Sequence, residues 1–335
     1  MVTSHFYGGF FIFLTLQSHT FDKPTINLLK QDYILMYKLS IIIYCMLQLH
    51  PVAEHNRAIT KAGRVFSREN LVAWCIVPYD TTKRTPALRA KMLNKLGITK
   101  FAYDWREEHI ASAGDEMDTM GQHHIKLQGF WMPYGPNPSF NKHYNDIMEQ
   151  LEKRAIKTQL WWSYGSSDEG LKNKSQDEKI KYVGDMVKIM AARASGIGCT
   201  VGLYNHNGWF GEPENMLAIL AYVNMKNVGI VYNFNHAEDQ VDRFPEFFPK
   251  ILPHLIALNI AGLKNGKPGK IVPVGQGDSE QEMIRIIAES SYNGPVGIIN
   301  EDTHPDAETG LTMNMDGLKK ILQSLGYTGA LNTYK

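Results

Sequence analysis

From Leu71 onward, short apolar runs alternate with longer amphipathic stretches, and the alternation recurs eight times. Strands of a parallel sheet joined by helices produce that rhythm. The predicted strands are Leu71 to Pro78, Lys100 to Trp105, Lys126 to Met132, Thr158 to Ser163, Thr200 to Asn205, Val228 to Phe234, Ile256 to Ala261 and Gly294 to Asn300. Most are apolar on both faces, as expected where helices cover the outside and side chains fill the inside. A half-exposed antiparallel sheet would alternate apolar and polar residues instead.

Independent marks show where the helices begin. Thr85-Pro86, Glu212-Pro213 and Phe244-Pro245 place a proline at the start of a helix, where its missing N–H costs nothing. Ser175 with Glu178, and Ser279 with Glu282, read as capping boxes. Eight such units over about 260 residues match one closed, parallel eight-stranded (β/α)8 TIM barrel, predicted here as a single domain over residues 70–330. An open doubly wound sheet is the competing arrangement, but no glycine-rich dinucleotide turn follows the first strand.

Residues 1–69 differ in character and read as a leader. Their apolar stretches, Phe10 to Leu16 and Leu39 to Leu49, both fall short of the ~20 residues that span a bilayer. The second follows Lys38 and, with translation from Met36, has the layout of a secretory signal peptide. Export to a secreted or periplasmic location follows from that reading, and a cytoplasmic location follows without it.

Composition narrows the partners. The 335 residues carry 35 basic and 34 acidic side chains, so no net field draws nucleic acid or an anionic membrane. Cys45, Cys75 and Cys199 are too scattered for a disulfide framework or a zinc knuckle, and Cys75 and Cys199 read as small buried apolar residues.

In a barrel of this kind the strand ends and following loops line the site. Those places hold Asp104 and Arg106, then Trp131, then Trp161 and Trp162, then Tyr204, Asn205 and His206, then Asn233 and His236, then Asn259 and Lys264, and last Glu301. Aromatic faces suit sugar C–H groups, while amides and imidazoles hydrogen-bond hydroxyls. The expected partner is a small-molecule carbohydrate. The competing reading of Trp131, Trp161 and Trp162 is that they fill the barrel core. Gly275-Gln276-Gly277 reads as a turn before the next helix instead of a phosphate cradle.

Four segments in the second half, Tyr204-Asn205-His206 with Gly208, Asn233 to Ala237, Gly275 to Asp278, and Gly294 to Gly297, make the chain resemble the xylose isomerase-like TIM barrels, the sugar phosphate isomerases and epimerases. That resemblance implies a divalent metal held by a glutamate, an aspartate, a histidine and a second glutamate after strands five to eight. Here the first three positions carry Tyr204, Asn233 and Asn259, and only the last retains a carboxylate, Glu301. The usual ligand set is therefore not intact. A zinc-type site built from His206, His236 and Glu301 is an alternative to direct hydrogen bonding of sugar hydroxyls by the histidines.

The leading expectation is an isomerase or epimerase in which Glu301 and His236 transfer the proton. Substrate contacts are then expected from His206, Asn205, Tyr204, Asn233, Asn259, Lys264, Trp131, Trp162, Asp104 and Arg106. Two alternatives stay open on the sequence: a carbohydrate hydrolase or lyase without the ancestral metal, and a non-catalytic sugar-binding barrel.

Overall fold

The structure is a computed structural model that describes residues 35–40, 63–104, 106–134, 141–165, 170–264, 270–299 and 306–335. The chain divides into two units, Met1–Asn56 and Arg57–Lys335. In the first, residues 35–40 are helical, with Leu35, Met36, Tyr37 and Leu39 exposed. The rest of the apolar run to Leu49 lies outside the described residues. No described helix is long and apolar enough to cross a membrane.

The second unit is the (β/α)8 barrel. Its wall is formed by β1 (Leu71–Trp74), β2 (Lys100–Asp104), β3 (Lys126–Trp131), β4 (Gln159–Trp162), β5 (Thr200–Tyr204), β6 (Val228–Asn233), β7 (Leu255–Ile260) and β10 (Val296–Ile299). All neighbours run parallel, and β10 closes the ring by pairing Leu71 with Val296 and Trp74 with Ile299. Helices outside the wall include α1 (Pro86–Leu96), α2 (Glu107–Ile110), α3 (Ala113–Gln122), α4 (Lys142–Lys153), α5 (Gln176–Gly196), α6 (Pro213–Val223), α7 (Phe244–Ile251), α8 (Glu280–Glu289), α9 (Ala307–Ser324) and the short α10 (Thr328–Leu331).

The strands stop sooner than their apolar runs. After Trp74 the backbone of Cys75 turns left-handed, with φ 58°, and that conformation cannot continue a strand. Cys75 and Cys199 are both buried, as expected. Residues 63–69, grouped with the leader by composition, belong to the barrel body: Phe66 is fully buried and accepts from Tyr334 Oη at 2.6 Å.

Large rings fit in the interior where a neighbouring strand carries glycine. A Cβ on Gly129 would stand 2.4 Å from Trp161 Cε2, so β3 leaves the space that the Trp161 indole occupies. Trp161 stacks on Tyr204 at 6.1 Å between ring centroids and meets the edge of Trp74 at 5.2 Å. Its Nε1 donates to Gln159 Oε1 at 2.9 Å, leaving the ring fixed in both position and orientation.

Thr85 caps α1, and the Ser175–Glu178 box opens α5 with both reciprocal bonds made. The Ser279–Glu282 box does not form. Instead Glu280 turns back, and its carboxylate accepts from Gly275 N (3.0 Å), Gly277 N (2.8 Å) and Leu263 N (3.2 Å). That side chain fills the Gly275-Gln276-Gly277 turn with an anion of the protein's own. The turn is tied to an antiparallel hairpin, β8 (Gly262–Lys264) with β9 (Lys270–Val272), that the hydrophobic pattern did not foresee.

Candidate active site

Two turns position the histidines. Beyond β5, Asn207 and Gly208 take left-handed backbone conformations, φ 57° and 65°, which an asparagine and a glycine adopt at low cost. Beyond β6, Asn233 Oδ1 accepts from Asn235 N at 3.0 Å and starts a single 3-10 turn over Phe234–His236. Phe234 is fully buried against Tyr232 and Phe244, and so anchors this turn from outside the barrel.

These turns bring His206 and His236 together, with ring centroids 4.3 Å apart. Tyr204 lies 5.7 Å from His236, and Trp131 stacks on His206 at 5.7 Å. Tyr134 adds a third ring to the wall, 6.2 Å from His206. Burial lowers the pKa of both imidazoles. For His236, burial and then the neighbouring His206 push it down to about 3; for His206, burial acts first, its own backbone opposes the shift and the Arg106 charge adds to it. Both rings are neutral at physiological pH.

Arg106 also lies against Trp131, its guanidinium 5.3 Å from that ring and 5.6 Å from Tyr79. Asp104, almost wholly buried, holds it: Arg106 Nη1 donates to Oδ2 at 2.6 Å, and His109 Nδ1 lies 2.8 Å from Oδ1. The ion pair thus fixes a cation against the aromatic wall.

Three buried asparagines on or just beyond β5, β6 and β7 differ in what they have left to offer. Asn205 is spent on the β6 backbone, donating to Asn233 O at 3.1 Å and accepting from Asn233 N at 2.7 Å. Asn233 is spent as well, with Nδ2 against Tyr204 Oη at 2.5 Å and Oδ1 on the turn. Asn259 sits beside Asn233 in register, fully buried, and neither of its amide atoms has a partner among the described residues.

Tyr204, Asn233 and Asn259 make a poor set for a hard divalent ion, which wants anionic oxygens. None is a carboxylate, and Asn233 has both ends of its amide engaged. Among the described residues, no group of three His, Cys, Asp or Glu side chains is placed to hold a metal.

Of the residues singled out from sequence, Trp131, Tyr204, His206, His236, Asn233, Arg106 and Asp104 form one connected cluster. Trp162 does not join it. As the neighbour of inward-facing Trp161 it takes the opposite face, where it meets Phe210 and Tyr164. Lys264 is exposed on the hairpin, and Glu301 lies outside the described residues. Trp74, Tyr79 and His109 belong to the same environment without having been singled out. The over-long first strand hid Trp74, and only the fold brings His109 back onto Asp104.

The family model for xylose isomerase-like TIM barrels matches residues 140–321. The chain belongs to this family. No curated protein sequence matches it, but solved structures share its fold. One is the 3-keto-D-glucoside 4-epimerase YcjR from E. coli in its apo form, at TM-score 0.58 and 14% identity over 76% of this chain and 99% of that one. Another is D-psicose 3-epimerase in the presence of D-fructose, at TM-score 0.56 and 13% identity over 77% and 99%. A third is the probable 3-DHS dehydratase AsbF from Bacillus anthracis, at TM-score 0.56 and 14% identity over 74% and 98%.

Proposed function

We propose that this member of the xylose isomerase-like barrels acts on a carbohydrate as an isomerase or epimerase, with the family's usual metal ligands largely replaced by neutral side chains. The observation that carries the proposal is the pair of touching, neutral imidazoles, His206 and His236, set against the Trp131 and Tyr204 rings where strands β5 and β6 end. Fold neighbours that are named sugar epimerases support the substrate class.

A strongly depressed imidazole is a weak base but a good neutral N–H donor. His236 therefore donates to the sugar carbonyl oxygen and stabilises the negative charge that develops there. Glu301 removes the proton from the neighbouring carbon. In an isomerisation it delivers a proton, exchanged with solvent while held on the carboxyl, to the former carbonyl carbon, while the hydroxyl proton passes to the former carbonyl oxygen. Trp131 and Tyr204 offer faces to the sugar C–H groups, and Arg106 and His206 face its oxygens.

The test is incubation of the full chain with a panel of aldoses and ketoses in D2O, followed by NMR. Deuterium is expected next to the carbonyl, together with the isomer or epimer, and the activity is expected to persist after verified removal of metal. His236→Gln and Glu301→Gln should each slow exchange by about 10²-fold or more. No exchange with any sugar would refute the proposal, and an unchanged rate in Glu301→Gln would refute that residue's role.

A further inference from the structure

An asparagine in the middle of a buried strand is costly unless its amide is hydrogen-bonded, because both a donor and an acceptor have left water. Asn205 and Asn233 meet that requirement within the protein. Asn259, fully buried, does not: its Nδ2 and Oδ1 are both without a partner among the described residues. The barrel also makes room for it. A Cβ on Gly297 would stand 1.8 Å from Asn259 Oδ1, so β10 is bare where the amide lies across it. Trp74 Nε1, another buried atom without a partner among the described residues, belongs to the same aromatic wall through Trp131.

A leucine has the same branched skeleton with no polar group to satisfy, at the cost of somewhat bulkier methyl groups. The amide presents a donor and an acceptor side by side, which matches two neighbouring oxygens of which at least one carries a proton. A carboxylate or a fully ionised phosphate, which only accepts, would leave Oδ1 unpaired. We infer that Asn259 is the group that grips such an oxygen pair on the sugar, a vicinal diol or a hydroxy ketone; the assignment rests on the carbohydrate reading given above.

The experiment compares the full chain with N259L, using thermal melting and calorimetric titration with D-fructose, D-psicose and D-xylose as probes. A site kept for ligand predicts opposite changes in two readouts. The free variant should melt at or above the wild-type temperature, by about 2 °C or more if both unmet groups matter. Its affinity for whichever probe binds the wild type should fall at least about tenfold. Should N259L fail to fold, N259S removes the amide without adding bulk and is held to the same loss of affinity. Unchanged affinity in the variants would overturn the assignment while leaving the carbohydrate reading intact. A lower melting temperature with unchanged affinity would show that the amide is structural, satisfied by buried water, and would overturn it too. If none of the probes binds or stabilises the wild type, the carbohydrate reading falls and the assignment with it.

Discussion

Gly129→Ala places a methyl group inside the Trp161 indole. The added Cβ would stand 2.4 Å from Cε2 and 2.5 Å from Cζ2, well below any real contact. The ring has little freedom to yield, since it is 1% exposed, stacked on Tyr204, edged by Trp74 and tied to Gln159. Overpacking of this kind costs about 1–3 kcal/mol. For a domain of this size each kcal/mol lowers the melting temperature by about 2–4 °C. Trp161→Phe removes the atoms that clash but forfeits the Nε1 bond to Gln159, worth about 1 kcal/mol. In that background Gly129→Ala should cost less, so the two changes should couple by at least about 1 kcal/mol. Urea denaturation of the four proteins, followed by circular dichroism, measures this directly. Strict additivity, or an unchanged midpoint for Gly129→Ala alone, would refute the idea that glycine is there to admit the indole.

Two further outcomes follow from the charged groups. Arg84 bridges Asp80, Asp306 and Glu308, with the Asp80 side chain fully buried, so Arg84→Met should cost about 3 kcal/mol at neutral pH. Burial alone raises the Asp306 carboxyl, but hydrogen bonds from Arg84, Thr309 N–H and Thr82, with the Arg84 charge, hold it well below the ordinary range. That stabilisation is full above the unfolded carboxyl pKa of about 3.9 and is lost as the pH falls toward the folded value, so the gap between wild type and Arg84→Met should narrow below about pH 4. A gap that is constant from pH 7 to pH 3 would count against the linkage. Separately, Glu280→Gln should destabilise by about 2 kcal/mol, because a neutral amide cannot accept from all three N–H groups as strongly as the carboxylate does; no loss in a melting assay would show that the turn does not depend on it.

The order of strands and helices was legible along the chain because a barrel of this type writes each layer as a local pattern. Apolar runs mark the strands, and a proline or a capping residue marks where a helix begins. Thr85 and the Ser175–Glu178 box acted where they were read. The Ser279–Glu282 box failed, since Glu280 found three backbone N–H groups on segments that come together only in the folded chain. The hairpin of β8 and β9 was missed because its two strands are too short to carry a periodic signal.

The sequence by itself determined the architecture and placed His206 and His236 just beyond their strands, because the side-chain alternation and turn residues involved are close neighbours in the chain. Only the tertiary structure decided which polar groups are spent and which are left over. Trp161 and Trp162 are adjacent in sequence yet face opposite sides of the wall, and three similar asparagines divide into two that brace β5 against β6 and one whose amide has no partner among the described residues. Hydrogen-bond satisfaction depends on partners from distant segments, so it is a property of the closed barrel and of no single stretch of residues.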